Sequence, residues 1–420
     1  MKVFSYKKDV TDVSALISRS KVDVSAASGV ASGILNDMKA RGDAALFEYT
    51  KKFDNVNLTS KNVRVSPEEI SAAARRVNPE LLRALRHARN NISKFHSRQL
   101  KNINRRWSIA IEQGVEVGEK ILPIDSAGCY VPGGRASYPS TVLMTSIPAK
   151  VAGVKRVVVA SPPEIPDSIL AACHVCNVDE VYRMGGAQAI AALAYGTKSV
   201  KPVSKIVGPG NKYVLAAKNL VYGTVDIDMP AGPSEVLIIA DDTTNPDYAA
   251  ADLLAQAEHD PDAQCVIVSN SRALLDSVSI ELERRKKGES RPVSGNIHGV
   301  LVKTMAEAVE FANEYAAEHL EIMARNAASI EKKITNAGAI FIGPYAPVPL
   351  GDYASGANHV LPTGGAAKFA SPLSVRDFLK ACSVQNISKA GLKKLGTTAM
   401  TLAQAEGLLR HRKSIEERFP

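Results

Sequence analysis

At 420 residues the chain is too long for one ordinary core, and roughly two to four domains are expected. Its 45% hydrophobic and 23% charged residues give the balance of a folded globular protein and exclude disorder as the default. A net charge of +9 raises nucleic acid as a partner, because much of the excess lies between Arg75 and Arg106 and in Arg284-Arg285-Lys286-Lys287.

Only Phe95 and Trp107 interleave the first basic run, which argues against a base-stacking platform and for a solvated helix face. No stretch approaches the ~20 uninterrupted apolar residues of a membrane span. The opening residues, Met1 to Asp9, lack the apolar core of a secretory signal. Five dispersed cysteines, an odd number, argue against a disulfide framework. The expected address is the cytoplasm, with neither membrane nor nucleic acid as partner.

In chain order, residues 1–20 read as an N-terminal arm. Apolar spacing from about Val22 to Tyr49 is helical. Ser66-Pro67-Glu68-Glu69 is a capping-box start with Pro at the first helical position. Helices follow over about 67–77 and 79–101, the second with Leu81, Leu82, Leu85, Ala88, Ile92 and Phe95 at three- and four-residue spacing. His87 and His96 on this stretch read as surface residues. Short apolar runs then alternate with helical segments: Lys155 to Ala160, a helix over about 167–176, Val178 to Tyr182, a helix after Gly185-Gly186, and Val203 to Val207. Val236 to Ala240, Cys265 to Val268 and Ala339 to Ile342 continue the pattern. Continuous apolar strands separated by helices mean parallel sheets covered on both faces, so the fold class is α/β, doubly wound, with two such sheets. The tail from about Ser374 to Pro420 reads as a small helical unit.

Glycine-rich turns between strand and helix are where backbone N–H groups and a helix N-terminus favour phosphate. Three occur: Pro132-Gly133-Gly134, Gly185-Gly186-Ala187-Gln188 and Gly208-Pro209-Gly210-Asn211-Lys212. None completes the dinucleotide fingerprint, since Tyr213 stands where a third glycine belongs. Each is therefore a phosphate cradle or a plain tight turn. Cys173-His174-Val175-Cys176 lacks a second cysteine pair and reads as buried structural thiols. His298 falls in an expected loop. The remaining histidines neighbour carboxylates or amides: Gln256 and His259 at i and i+3 where a helix closes, Glu318-His319 at the close of the helix begun near Met305, Asp352 and His359 in a glycine-rich loop, and His411 after Glu406. Such nitrogen and oxygen donors can hold a metal, although no compact zinc spacing is present.

Taken together, Gly128 to Gly134, Met184 to Gln188, Val207 to Tyr213, Pro230 to Glu235, Gln256 to Asp260, Ala317 to Leu320 and the Gly351 to Thr363 loop resemble the histidinol dehydrogenase family over essentially the whole chain. The resemblance implies two incomplete Rossmann-like domains plus small helical terminal segments. Residues 21–127 and 235–373 would form a discontinuous catalytic, zinc-holding domain, 128–234 an NAD-contacting domain, and 374–420 a helical tail swapped within a homodimer. It further implies one zinc per subunit on Gln256, His259, Asp352 and His411, and a catalytic pair in Glu318 and His319. Ser234, His359 and Glu406, with His319 and the four ligands, would meet the substrate, L-histidinol. Tyr130, Gln188 and Asn211 would contact NAD. The implied reaction is oxidation of L-histidinol through L-histidinal to L-histidine, the last steps of histidine biosynthesis. The basic charge is higher than this family leads one to expect. A dehydrogenase of another small polar alcohol on the same scaffold, a zinc hydrolase using Glu318 without NAD, and a nucleic-acid binder built on the basic helix are the alternatives.

Overall fold

The computed structural model describes residues 1–18, 25–133, 137–229, 232–287 and 295–419. Val22, Gly134, Pro230, Ala231 and Pro420, at the edges of features expected above, lie outside the described residues. In chain order, β1 (Lys2–Ser5) and α1 (Val10–Ile17) precede four helices, α2 (Ser25–Arg41), α3 (Asp43–Asp54), α4 (Pro67–Arg76) and α5 (Pro79–Lys101). β2 (Arg106–Glu112) and β3 (Val115–Pro123) form a hairpin. A first alternation follows: β4 (Ser126–Tyr130), α6 (Pro139–Ala152), β5 (Arg156–Ser161), α7 (Asp167–Val175), β6 (Glu180–Arg183), α8 (Gly186–Tyr195), β7 (Lys205–Val207), α9 (Lys212–Val221) and β8 (Asp226–Ile227). The second runs β9 (Glu235–Ala240), α10 (Pro246–Ala257), β10 (Gln264–Ser269), α11 (Arg272–Lys286), β11 (Asn296–Leu301), α12 (Met305–Tyr315), β12 (His319–Met323), α13 (Ala327–Glu331), β13 (Ala339–Ile342) and α14 (Val348–Tyr353). β14 (Leu379–Ile387), α15 (Lys389–Ala405) and α16 (Leu409–Glu416) close the chain.

Both alternations build all-parallel sheets, ordered β6-β5-β4-β7-β8 and β1-β11-β10-β9-β12-β13. Leaving β1 aside, the two orders are the same when each sheet is numbered from its own first strand: 3-2-1-4-5, the Rossmann order short of its sixth strand. The doubly wound expectation therefore holds for each. In β9, Val236, Leu237, Ile238, Ile239 and Ala240 are all fully buried. The two-residue period of the strand sends Leu237 and Ile239 to a core shared with α1 and α12, and Val236 and Ile238 to one shared with α10 and α11. In β5, Val158 and Ala160 meet α2, α3 and α8, while Val157 and Val159 meet α4 to α7.

Those cores correct the expected grouping of residues 21–127 with 235–373. Ala31, Leu35 and Leu46 pack with Val158 and Tyr182, and Ala73, Leu85 and Ile92 pack with Val157 and Val159, all on the five-stranded sheet. An amphipathic helix shows in sequence that one face is buried, but not which of two sheets buries it. The expected arm is likewise part of the fold: β1 is an edge strand in parallel register with β11, Lys2 opposite His298 through Ser5 opposite Leu301. His298 thus lies in a strand, not a loop. The tail is not wholly helical, since β14 pairs antiparallel with β3 from Leu379↔Pro123 to Ile387↔Val115. Nearly every residue of β14 is exposed, so it carries no alternation for a sequence reading to detect. Among the described residues no helix is long and apolar enough to cross a membrane.

The helix-to-sheet assignment has a direct check. Leu46→Ala, in a fully buried site on α3, should cost about 2–5 kcal/mol. Hydrogen exchange should show lost protection in β5 and β6 with β9 and β10 unaffected; the reverse pattern would restore the sequence-based grouping.

Candidate active site

The centre of the six-stranded sheet places the first functional pair. β12 lies beside β9 in parallel register with His319 opposite Val236, so Glu318 and His319 stand at the amino end of this strand pair. They do not close α12 as expected: that helix ends at Tyr315, Ala316 turns the chain in the left-handed region, and His319 opens the strand. Both side chains are buried. The Glu235 N–H donates to Glu318 Oε2 at 2.8 Å, and the Glu235 carbonyl lies 2.9 Å from His319 Nδ1. A carbonyl only accepts, so Nδ1 carries the proton and Nε2 faces the site. There Asp352 Oδ1 lies 3.4 Å from Nε2. Burial pushes Glu318 up to about 8. Burial also works to lower His319, but Glu318 and Asp352 outweigh it and lift the imidazole to about 9.

Asp352 comes from α14 and the loop that follows it. The Asp352 carbonyl accepts from His359 Nδ1 at 3.1 Å, which makes one unit of these two residues. The loop is bonded on both flanks. Asn91 Nδ2 donates to the Ala354 carbonyl at 2.9 Å, and Asn358 Nδ2 to the Met144 carbonyl at 2.7 Å. On the other flank Gly364 N–H donates to Glu235 Oε1 at 3.0 Å, and Gly232 N–H to Thr363 Oγ1. His96 corrects its expected surface place: it is fully buried, 2.8 Å from Gln99 through Nδ1, with Nε2 turned toward Asn358. His87 is exposed as expected, and Cys173 and Cys176 are buried thiols.

Gln256 lies in the last turn of α10, buried, and its Nε2 has no hydrogen-bond partner. Three residues on, His259 is exposed but close enough for its charge to act on both Asp352 and His359. Half-buried Ser234 immediately precedes β9, and its carbonyl accepts from Gln264 N–H. Two imidazoles, of His259 and His359, and the Asp352 carboxylate thus converge with Glu318 and His319, while Gln256 lies one turn before His259 at the same helix end. Glu406 and His411 do not join them within this chain. Both are exposed, at the end of α15 and on α16, and among the described residues no hydrogen bond or ion pair ties them to the cluster. Nor do three His, Cys, Asp or Glu side chains form a ready metal cage among the described residues. The donor chemistry fits a cation in part: an orphaned buried amide on the helix end that carries an imidazole, with a carboxylate near that imidazole, and no further imidazole from this chain's tail. A cleft of about 990 Å³ opens outside the cluster along β13, bounded by Gly338, Phe341, Gly351, Asn358 and Asp377.

The described residues of the three glycine-rich turns meet at the carboxyl end of the five-stranded sheet. Tyr130 ends β4, and its hydroxyl accepts from Gly186 N–H, at the start of α8, at 3.1 Å. Gln188, on α8, is buried with Oε1 unpartnered. Asn211 caps α9, its Oδ1 accepting from Tyr213 and Val214 N–H at 3.0 and 3.2 Å. Gly208, at φ +118, lies so close that a side-chain carbon there would collide with the Tyr130 carbonyl oxygen. Its peptide groups are gripped by a buried ion pair: Gly208 N–H donates to Asp228 Oδ2 at 2.6 Å, and Lys218 Nζ bonds both the Gly208 carbonyl, at 3.0 Å, and Asp228 Oδ1. These turns sit beside β4 and β7, where the strand order reverses, the place where open α/β sheets bind dinucleotides. Two helix N-termini and an unpartnered buried amide there fit such a group.

Sequence reasoning missed Glu235, Asn91, Asn358, Lys218 and Asp228. Most lie inside or beside the motifs noted, but only pairing in space reveals what they hold.

Glycine-rich turns at the switch point of one sheet and a buried acid–imidazole pair at the amino end of the other are the parts of an α/β oxidoreductase. A family model described as histidinol dehydrogenase matches residues 17–419. Histidinol dehydrogenase of Methanococcus maripaludis is 48% identical, with 98% of each chain covered, and that of Methanothermobacter thermautotrophicus is 47% identical, with 99% of this chain and 98% of the relative covered. The crystal structure of histidinol dehydrogenase from Elizabethkingia anophelis superposes with a TM-score of 0.90 at 37% identity, covering 100% of this chain and 98% of that one. The chain belongs to the histidinol dehydrogenase family.

The ion pair behind Gly208 carries a pH-dependent consequence. Lys218→Met should destabilise by about 3–5 kcal/mol, because Asp228 is then left buried and unpaired. Burial already raises Asp228, and Lys218 pulls it back; without the lysine the carboxyl rises further. A carboxyl raised above its unfolded value loses stability as pH climbs past the ordinary carboxylate range. Urea titrations should therefore show the deficit growing from acid to neutral pH, and a pH-independent deficit would contradict the pairing.

Proposed function

We propose that this chain oxidises L-histidinol through L-histidinal to L-histidine, with two successive hydride transfers to NAD, as the last steps of histidine biosynthesis. The observation that carries the reading is the buried Glu318–His319 pair, its imidazole fixed by the Glu235 carbonyl with Nε2 toward Asp352, in a member of this family. With Nδ1–H held, Nε2 is the nitrogen available to take the alcohol proton. Asp352, once engaged by a cation, holds the imidazolium less firmly, which moves His319 toward the neutral form a base needs. Glu318, raised by burial, is suited to exchanging a proton near neutral pH and so to activating water for attack on the aldehyde.

Gln256, His259 and Asp352 would hold zinc, with His411 as fourth ligand; the metal supplies substrate orientation and polarisation of the alcohol oxygen. Tyr130, Gln188 and Asn211 would hold NAD, which supplies the hydride acceptor. Ser234, His359 and Glu406 would contact the substrate. Because His411 and Glu406 lie on an exposed tail away from the cluster, a homodimer in which each tail completes the partner's site accounts for the missing groups. Exposed Leu402, Leu408 and Leu409 on that tail are the apolar surface such an exchange would cover.

Purified protein given L-histidinol and excess NAD should form about two NADH per substrate, since alcohol to acid removes two hydrides. The yield should vanish on chelation and return with zinc. Zinc-loaded, folded protein that forms no NADH from histidinol, yet does so from another amino alcohol, would replace this substrate assignment.

The exchange of tails is tested by mixing two inactive chains. His319→Ala and His411→Ala should each lose ~10²-fold or more of kcat. Coexpressed, they should recover about a quarter of wild-type activity, because each mixed dimer holds one site free of both changes. No recovery would mean that each tail serves its own chain.

A further inference from the structure

A buried carboxyl, Glu321, and a half-buried one, Asp252, stand behind the site, and no step above uses them. Asp252 is on α10, one turn before Gln256, and Glu321 is on β12, on the same face of the strand as His319. One oxygen of Glu321 accepts the Val348 N–H at 2.9 Å, at the first residue of α14, one turn before Asp352. Its other oxygen is buried and meets no N–H donor among the described residues. The Asp252 carboxyl on α10 is the neighbouring acid whose charge acts on Glu321. Two ionised carboxylates are acceptors only, so they can bond each other only through a shared proton. The direction of both groups agrees: burial pushes Glu321 up to about 8, with Asp252 adding to it and His319 opposing, and burial pushes Asp252 to about 6.

We infer that Asp252 and Glu321 form a one-proton carboxyl pair that acts as a positioning device, tying α10, β12 and α14 together and thereby setting Gln256, His319 and Asp352 relative to one another. Each element it joins carries one of these residues within four positions of the bond. Apolar side chains of similar volume would fill the same space without the cost of burying two acids. They could not bond the first N–H of α14, nor fix α10 and β12 in one register. The metal part of the test rests on the proposed ligand set.

Three variants separate the outcomes. Glu321→Gln keeps an acceptor for Val348 and supplies an N–H in place of the shared proton; Glu321→Leu removes both; Asp252→Asn removes the proton from the other side. At neutral pH, infrared difference spectra of wild type against Glu321→Gln and against Asp252→Asn should each show loss of a protonated-carboxyl C=O band. Glu321→Leu should weaken zinc binding by ~10–100-fold and lower kcat more than it changes KM, while Glu321→Gln stays close to wild type in both. Absence of the infrared band, or a folded Glu321→Leu with wild-type zinc affinity and kcat, would overturn the inference. If wild type takes up no zinc, the ligand reading fails, while the infrared band and the contrast in kcat still decide the pair. Should Glu321→Leu fail to fold, Asp252→Ala, on the half-buried side of the pair, takes its place in the same comparison.

Discussion

The peptide groups of Glu235 are held from the neighbouring strand by side chains, its N–H by Glu318 and its carbonyl by His319. Both peptide groups are buried, and a buried peptide group left without a bond costs about 1–3 kcal/mol. The acid and the imidazole satisfy them and are oriented in return. The remaining geometry hangs on this exchange. It fixes which imidazole nitrogen faces Asp352. The Glu235 side chain then reaches Gly364, anchoring the far end of the loop that bears Asp352 and His359.

Two sheets of the same topology are used at opposite ends. Helices in these units run antiparallel to their strands, so the carboxyl edge of the five-stranded sheet collects helix N-termini, at α8 and α9, and offers N–H groups and positive potential. The amino edge of the six-stranded sheet instead collects helix C-termini: α10 ends at Gln256 and Ala257, and α12 ends three residues before Glu318. Negative potential there favours a cation and holds protons on acids. One edge suits an anionic cofactor and the other a metal and a base, from the same fold.

Much of this was legible in the sequence. The runs at Val157, Val236 and Cys265 are continuous and apolar because both faces of their sheets are covered, and that pattern survives without tertiary knowledge. The glycine-rich turns could be placed for the same reason: Gly208 answers a steric demand fixed locally. What stayed hidden was relational. His96 sits among charged residues and looks solvated, yet it is buried on the helix face that meets the Asn358 loop. Asp352 and His319 are far apart in sequence, and nothing local says that one faces the other. β14 left no trace because it is exposed on both faces. The ligand and catalytic sets came from resemblance; spacing alone offered only scattered donors.

The Gly351 to Gly364 loop is bonded to α5 and α6 on one flank and to Glu235 on the other. Asn91 and Met144 belong to the body built on the five-stranded sheet, and Glu235 to the six-stranded one. The loop is therefore a tether between the two bodies, with Asp352 seated on it. Any hinge movement that widened the gap between the sheets would pull on that tether and shift the carboxylate against His319. The spacing of the two sheets and the Asp352–His319 distance are thus mechanically coupled.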